Sequence, residues 1–357
     1  MTARVTRYAH GLVIGKFYPL HAGHLNLVRT GLARCERLTV QVLGSSRESV
    51  PVETRAAWLR AELPGAHVVT AVDDTPVDYA DPRAWDAHVA LMRSLLDAPV
   101  DAVLTSDAYG VELARRLGAD WLRVDPGRVA VPVSGRAVRA DPGRHWWALP
   151  APVRAWFARR VVVLGAESTG TTTLAADLAH HHGLEPVPEF GREWSVERPG
   201  GPDAPWHTAE FDLVAREQAR REDVAAATTP LPLVVGDTDV LATTLWHERY
   251  TGARSPSVEA LAAGRVPDLY LLTGDEIPFV QDGLRDGEHV RHAMQDRFRE
   301  VLAEQAQAGG APWHELRGTR AERLEAAVAL VAPLLAEPRP MADPLPQRGT
   351  DAFADVR

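Results

Sequence analysis

Short apolar runs alternate with longer amphipathic stretches along most of the chain. The run 11–15 predicts a buried strand and 23–34 a helix. Strands follow at 38–43, 67–72, 102–105 and 121–124, with helices at 51–63, 82–96 and 109–117 between them. Pro51 suits a helix start. Around 149–157 the text becomes LPAPVRAWF, and a second alternation begins at 160–164. It predicts helices at 172–182, 208–227, 240–250, 288–307 and 321–335, with strands at 231–235 and 269–272. Such alternation implies parallel sheets covered by helices on both faces. The expected fold class is therefore α/β, with two doubly wound parallel-sheet domains, 1–154 and 155–336. The tail, 337–357, is proline-rich and polar and is expected to be disordered. There is no repeat of fixed period.

Composition narrows the picture. At 357 residues the chain is long for one small core, and 45% apolar with 24% charged residues is ordinary for globular proteins. A net charge of -9 argues against a general nucleic-acid binder and leaves small anionic substrates open. The single cysteine, Cys35, precludes an intramolecular disulfide and suits a reducing cytosol. No apolar run approaches the roughly 20 residues of a membrane span. The opening MTARVTRYAHG lacks the apolar stretch of a signal peptide. A cytoplasmic protein with no membrane partner is expected.

The first chemical pattern closes the first strand: Gly15-Lys16-Phe17-Tyr18-Pro19-Leu20-His21-Ala22-Gly23-His24. A strand-to-helix junction in a parallel sheet gathers free backbone N–H groups and a helix dipole, which suits anions. Gly23 lets a phosphate approach the backbone. His21 and His24 can donate to phosphate oxygens, Lys16 adds a point charge, and Gly15 and Phe17 belong to the same binding turn. The competing reading is a pair of surface histidines at a helix cap.

This loop is similar to that of the nucleotidyltransferase superfamily, and the stretch resembles the adenylyltransferase half of NadR-type proteins. A second element of that pattern is Val133-Ser134-Gly135-Arg136-Ala137-Val138-Arg139. The resemblance implies that Ser134 caps a helix and contacts phosphate, and that Arg139 holds the β- and γ-phosphates of ATP. Arg136 stands where the family usually has Thr. The implied reaction is attack of the 5′-phosphate of nicotinamide mononucleotide on the α-phosphorus of ATP, giving NAD and pyrophosphate. His21, His24, Lys16 and Arg139 would share this work with Mg²⁺ by positioning and charge stabilisation. A phosphate nucleophile is already ionised, so no general base is assigned. Trp85 and Trp121 are candidates for stacking on nicotinamide, with helix packing as the alternative. Ser106, in the stretch 105–110 after the fourth strand, is a candidate contact to ribose or base. The turn Asp125-Pro126-Gly127-Arg128 matches the family and is open to a purely structural reading.

The second pattern is Gly165-Ala166-Glu167-Ser168-Thr169-Gly170-Thr171-Thr172-Thr173, which has the spacing of a P-loop. Thr171 stands at the lysine position. Backbone N–H groups around Ser168, Gly170, Thr171, Thr172 and Thr173 can still cradle phosphates, and Thr172 can still ligate Mg²⁺. This half resembles the ribosylnicotinamide kinase half of NadR-type proteins. In Glu189-Phe190-Gly191-Arg192-Glu193 the resemblance gives Arg192 and Glu193 a part in nucleoside binding. In Gly236-Asp237-Thr238-Asp239 it gives Asp237 a metal or hydroxyl-orienting role and Asp239 a binding role. In the lid-like stretch 281–286, Gly283 would be the hinge and Arg285 would approach the transferring phosphate. Two readings stand: a kinase of nicotinamide riboside in which Arg285 or Arg192 replaces the lysine, or a module that binds nucleotide without turnover.

The resemblance runs from about 11 to 335. The helix-turn-helix domain of some relatives has no counterpart in it, so no operator binding is expected. The ligands it implies are nicotinamide mononucleotide, nicotinamide riboside, ATP and NAD, and a homo-oligomer is compatible with it. The His-x-Gly-His pattern alone also fits adenylyl or cytidylyl transfer to other acceptors, such as pantetheine phosphate or glycerol phosphate.

Overall fold

A computed structural model of the chain describes residues 7–281, 283, 287–337, 339–354 and 356. The chain folds as two compact units, Met1–Val153 with Arg339–Arg357, and Arg154–Pro338.

In the first unit the order is β1 (Tyr8–Gly15), α1 (Ala22–Arg34), β2 (Cys35–Gly44), α2 (Val52–Glu62), β3 (His67–Val72), β4 (Val77–Asp78), α3 (Pro82–Ser94), β5 (Ala102–Thr105), α4 (Gly110–Leu117), β6 (Asp120–Arg123), α5 (Gly135–Ala140) and α6 (Ala151–Phe157), which runs on across the division. Five strands form one sheet in the order β3-β2-β1-β5-β6, all pairs parallel. Leu12, Val13, Val40, Val42, Val103 and Leu104 are fully buried within it, as the apolar runs require when both faces are covered. The chain reaches β2 on one side of β1 and β5 on the other. The C-terminal end of β1 is thus a switch point, where open parallel sheets bind ligands. Side-chain caps fix two helix starts: Asp81 accepts from Arg83 N on α3, and Ser134 accepts from Ala137 N on α5.

The second unit runs β7 (Arg159–Leu164), α7 (Thr171–His181), α8 (Phe190–Glu197), α9 (Thr208–Thr228), β8 (Leu233–Asp237), α10 (Val240–Thr251), α11 (Pro256–Ala263), β9 (Leu269–Thr273), α12 (Glu288–Gln307), β10 (Trp313–Leu316) and α13 (Arg320–Ala336). Its sheet is parallel in the order β10-β9-β7-β8. Alternation along β7 splits the core in two. Val161 and Val163 pack with Leu174 and Leu178 of α7 and Val331 of α13. Val162 and Leu164 pack with Leu245 of α10 and Phe298 of α12. The central strand β7 again ends at a switch point, between β9 and β8.

The tail departs from the sequence expectation of disorder. Gln347–Arg348 pairs in parallel with β4, and the Phe353 ring packs edge-on against Tyr79 and Trp85. Ala342 is held at both backbone groups: its carbonyl accepts from Tyr18 Oη at 2.9 Å and its N–H donates to Ser49 Oγ at 3.1 Å. A proline-rich segment needs only a few such anchors to be ordered, since its unfolded state has less entropy to lose. Among the described residues no helix is long and apolar enough to cross a membrane.

Candidate functional site

In the first unit the loop from β1 into α1 brings Lys16, Phe17, His21, Gly23 and His24 together. Phe17 is fully buried at φ 47°. Its ring lies against Gly15, where an added Cβ would come within 3.2 Å of it, and meets His24 edge-on at 5.0 Å. The His21 and His24 rings stack with centroids 3.7 Å apart. Gly23 leaves the His21 ring its place, since a Cβ would stand 3.0 Å from His21 Cε1 and push the ring aside. Burial pushes the His21 pKa down to about 4, with the Arg128 charge adding to it. His24 is driven the same way, by burial first and then by His21 and Arg128. Both imidazoles are therefore neutral near pH 7. Their Nδ1 atoms are buried with no hydrogen-bond partner among the described residues.

Behind the loop, Lys16 Nζ lies 3.1 Å from Glu48 Oε1, and the buried Arg55 bridges Glu48 Oε2 at 2.7 Å and the Lys16 carbonyl at 2.8 Å. This Glu48–Arg55 clamp was not read from the sequence. Arg139 joins the loop from α5 and donates to the Tyr18 carbonyl at 2.7 Å. In the turn 125–128, Asp125 (φ 47°) accepts from the N–H groups of Val129, Ala130 and Val131. That turn presents Arg128 towards both histidines, and Arg128 also pairs with Asp107 at 3.1 Å, beside Ser106.

Trp85 does not fit the stacking role expected of it. It is buried, donates to the Tyr79 carbonyl at 3.1 Å, and has Arg116 over its ring and Phe353 at its edge. Trp121 is held likewise by a 2.8 Å bond to Thr105 Oγ1 and by Arg123 over its ring. Both pack helices onto the sheet.

In the second unit one pocket contains the whole P-loop wall: Gly165, Ser168, Gly170, Thr171, Thr172 and Thr173. Gly170 sits at φ 90°, a left-handed conformation that glycine adopts without steric cost. The Thr171 and Thr172 hydroxyls face the Asp237 carboxylate, which is buried at the end of β8. Burial raises the Asp237 pKa while those hydroxyls and Arg192 oppose the rise. Its Oδ1 has no partner among the described residues. The opposite wall carries Glu189 and Arg192 at the start of α8. Burial pushes the Glu189 carboxyl up to about 8, with Asp237 adding to the rise and Arg192 opposing it.

Two binding assignments fail here. Glu193 points away into a bidentate pair with Arg221, at 2.6 and 2.7 Å. On a helix starting at Phe190, residues 192 and 193 project about 100° apart, and Arg192 lines the pocket while Glu193 does not. Asp239 is buried, caps α10 through Ala242 N and accepts from Tyr270 Oη at 2.8 Å. It is a structural carboxylate, and Thr238 (φ 66°) lines the pocket instead. Arg285 lies outside the described residues, as does most of the lid-like stretch around Gly283.

Sequence reading also missed the aromatic wall of this pocket: Trp206, Phe211, Trp246 and Tyr250. Trp206 and Tyr250 stack at 5.6 Å, and Arg198 lies 3.9 Å over Trp206 while its guanidinium is fixed by Glu210. The i, i+4 spacing of Trp246 and Tyr250 was an available signal. All five described non-glycine residues with positive φ, namely Phe17, Asp125, Arg128, Ser168 and Thr238, lie in or beside these two sites. Strain of that kind concentrates where ligands bind.

The AAA domain family matches residues 160–323. The trifunctional NAD biosynthesis/regulator protein NadR of Salmonella typhimurium strain LT2 is 29% identical over 316 residues, covering 82% of this chain and 76% of the relative. Its Escherichia coli K12 counterpart is 28% identical over 318 residues, with the same coverage. A crystal structure of NadR protein in complex with NR superposes with a TM-score of 0.72 at 20% identity, over 94% of this chain and 98% of that one. The chain is similar to NadR-type proteins along most of its length. A second NadR structure, in complex with NAD and AMP-PNP, gives a TM-score of 0.69 at 21% identity and the same coverage. The NadR-type fold thus extends over both units, and its P-loop carries threonine where the lysine belongs.

Proposed function

We propose that the chain catalyses two linked steps of NAD synthesis. The nucleotidyltransferase domain, 1–154, transfers AMP from ATP to nicotinamide mononucleotide. The P-loop domain, 155–336, phosphorylates nicotinamide riboside to that mononucleotide. The observation that carries the first activity is the pair of neutral, stacked imidazoles with unpartnered Nδ1 atoms at the switch point of the sheet. A neutral imidazole can offer one N–H to a phosphate oxygen; Lys16 stands on the same loop, and Arg139 reaches it from α5. In the reaction a mononucleotide phosphate oxygen bonds to the α-phosphorus, the bond to the α–β bridging oxygen breaks, and pyrophosphate leaves. His21 and His24 donate to the charge growing on the α-phosphate oxygens, and Arg139 holds the departing pyrophosphate.

For the second activity, the pocket offers a phosphate loop, two carboxylates and four aromatic residues that suit a flat cationic base. The orphaned Asp237 Oδ1 beside the Thr172 hydroxyl fits Mg²⁺, which takes few protein ligands when phosphates supply the rest. When bound, the ion would neutralise charge on the β- and γ-phosphates. In its ionised form, which the Arg192 charge favours against burial, Glu189 is placed to accept the proton of the ribosyl 5′-hydroxyl.

With ATP, Mg²⁺ and nicotinamide mononucleotide, the purified protein should form NAD and pyrophosphate in equal amounts. His24→Ala should lose this activity by about 100-fold or more, the usual scale for one transition-state donor. An unchanged rate in that variant would overturn the assignment. The second reading, favoured by Thr171, is that the P-loop domain only binds nucleotide. In that case the riboside would give no mononucleotide.

A further inference from the structure

The P-loop of the second unit lacks the ammonium that its spacing calls for, because Thr171 is neutral and its hydroxyl faces Asp237. We propose that Arg192, on α8, supplies the missing positive charge to the β- and γ-phosphates during transfer. This inference rests on the kinase reading above and assigns the group that makes it chemically workable.

Among the described residues, two other arginines meet the loop through its carbonyls. Arg291 is buried and donates to the carbonyls of Ser168 at 3.2 Å and Ile277 at 2.8 Å. Arg323 is buried and donates to the carbonyls of Thr169 at 2.7 Å and Gly274 at 3.0 Å, with Glu276 at 2.7 Å. Both hold the loop by its carbonyls. Neither lines the pocket, and among its described lining residues Arg192 is the one lysine or arginine. It lines the same pocket as Gly170, Thr171 and Thr172. Its charge reaches both carboxylates, opposing the rise that burial imposes on Glu189 and Asp237.

A guanidinium suits this task. It is always charged and its fork can bind two phosphate oxygens at once. Arginines from outside the phosphate loop supply charge in other phosphoryl transfers. In the step itself, the ribosyl 5′-oxygen bonds to the γ-phosphorus and the bond to the β–γ bridging oxygen breaks. The hydroxyl proton passes to Glu189, and ADP leaves with the electron pair of the broken bond. Arg192 would offset the charge that builds on the bridging oxygen.

The test uses the full chain with ATP, Mg²⁺ and nicotinamide riboside, and reads mononucleotide formed. Arg192→Ala should lower kcat by about 1,000-fold, the lower end for arginines that supply charge in phosphoryl transfer, with a smaller change in KM for the riboside. The double variant R192A/T171K should recover at least about tenfold over R192A, since a lysine at the loop position restores the charge from a different element. Arg192 is solvent-exposed, so the variant should fold; unchanged NAD formation from mononucleotide in the same preparation checks this. A kcat for R192A within twofold of wild type would overturn the inference alone. So would equal impairment with and without T171K, which would assign Arg192 to nucleoside binding. A wild type that makes NAD from mononucleotide but never phosphorylates the riboside would overturn the kinase reading and this inference with it.

Discussion

At the scale of single residues, His21 carries a consequence that can be measured without substrate. Its folded pKa is about 4, lowered from an ordinary value of 6.5 chiefly by burial. Between those values the unfolded chain binds a proton that the folded chain excludes. Stability therefore falls as pH drops from 6.5 towards 4 and is unaffected by this group above 6.5. At pH 5 the difference amounts to about 2 kcal/mol from His21 alone. His21→Gln keeps a polar side chain and removes the titration. The gap between wild-type and His21→Gln urea midpoints should change by about that energy between pH 7 and pH 5. A gap independent of pH would show that the ring is solvated. His21, Gly23 and His24 were legible in the sequence because their chemistry is contiguous. Glu48, Arg55 and Arg128 were not, because only packing brings residues so far apart onto one loop. Glu189 and Glu193 show a finer limit. Both belong to one readable stretch, but which carboxylate faces the phosphates depends on where α8 begins.

Among the elements, most strands and helices were legible because their apolar periods are long enough to decide between 3.6 and 2. Those missed were short or disguised. The β10 strand, Trp313-His314-Glu315-Leu316, has two polar residues in four, so no apolar run marks it. The α8 helix contains Gly191 and reads first as a motif. The tail misled by composition: its order comes from Phe353 in an aromatic cluster, from two backbone bonds at Ala342 and from the short pairing at β4. It also brings Asp343 within electrostatic reach of Arg139. Phe353→Ala removes the cluster contacts from a half-buried ring. It should cost about 1–2 kcal/mol, less than a fully buried Phe→Ala change, seen as a lower thermal midpoint with faster proteolysis near 340–350. An unchanged midpoint and cleavage pattern would mean that the tail adds nothing to the stability of the first unit.

At the scale of the whole molecule, the two sites are built on separate sheets with separate phosphate loops. Each has its own charge-bearing groups: Lys16 and Arg139 in one, Arg192, Asp237 and Glu189 in the other. Nothing in either chemistry requires a residue of the other site. The proposal therefore predicts that the two activities can be removed one at a time. His24→Ala should still convert riboside to mononucleotide at the wild-type rate, and the mononucleotide should accumulate because its consumption is blocked. Asp237→Asn should do the reverse, making NAD from supplied mononucleotide at the wild-type rate while riboside phosphorylation falls by about 100-fold, the scale expected when charge is removed from a phosphoryl-transfer site. A mixture of the two variants should then regain NAD formation from riboside, because mononucleotide released by one can be used by the other. The rate of that recovery is informative. If mononucleotide passes through solution, the mixture at twice the total protein should match wild type once the intermediate has built up. A mixture that stays far slower at every intermediate concentration would show that the sites act as one unit, contrary to the independence that their separate sheets and charges imply.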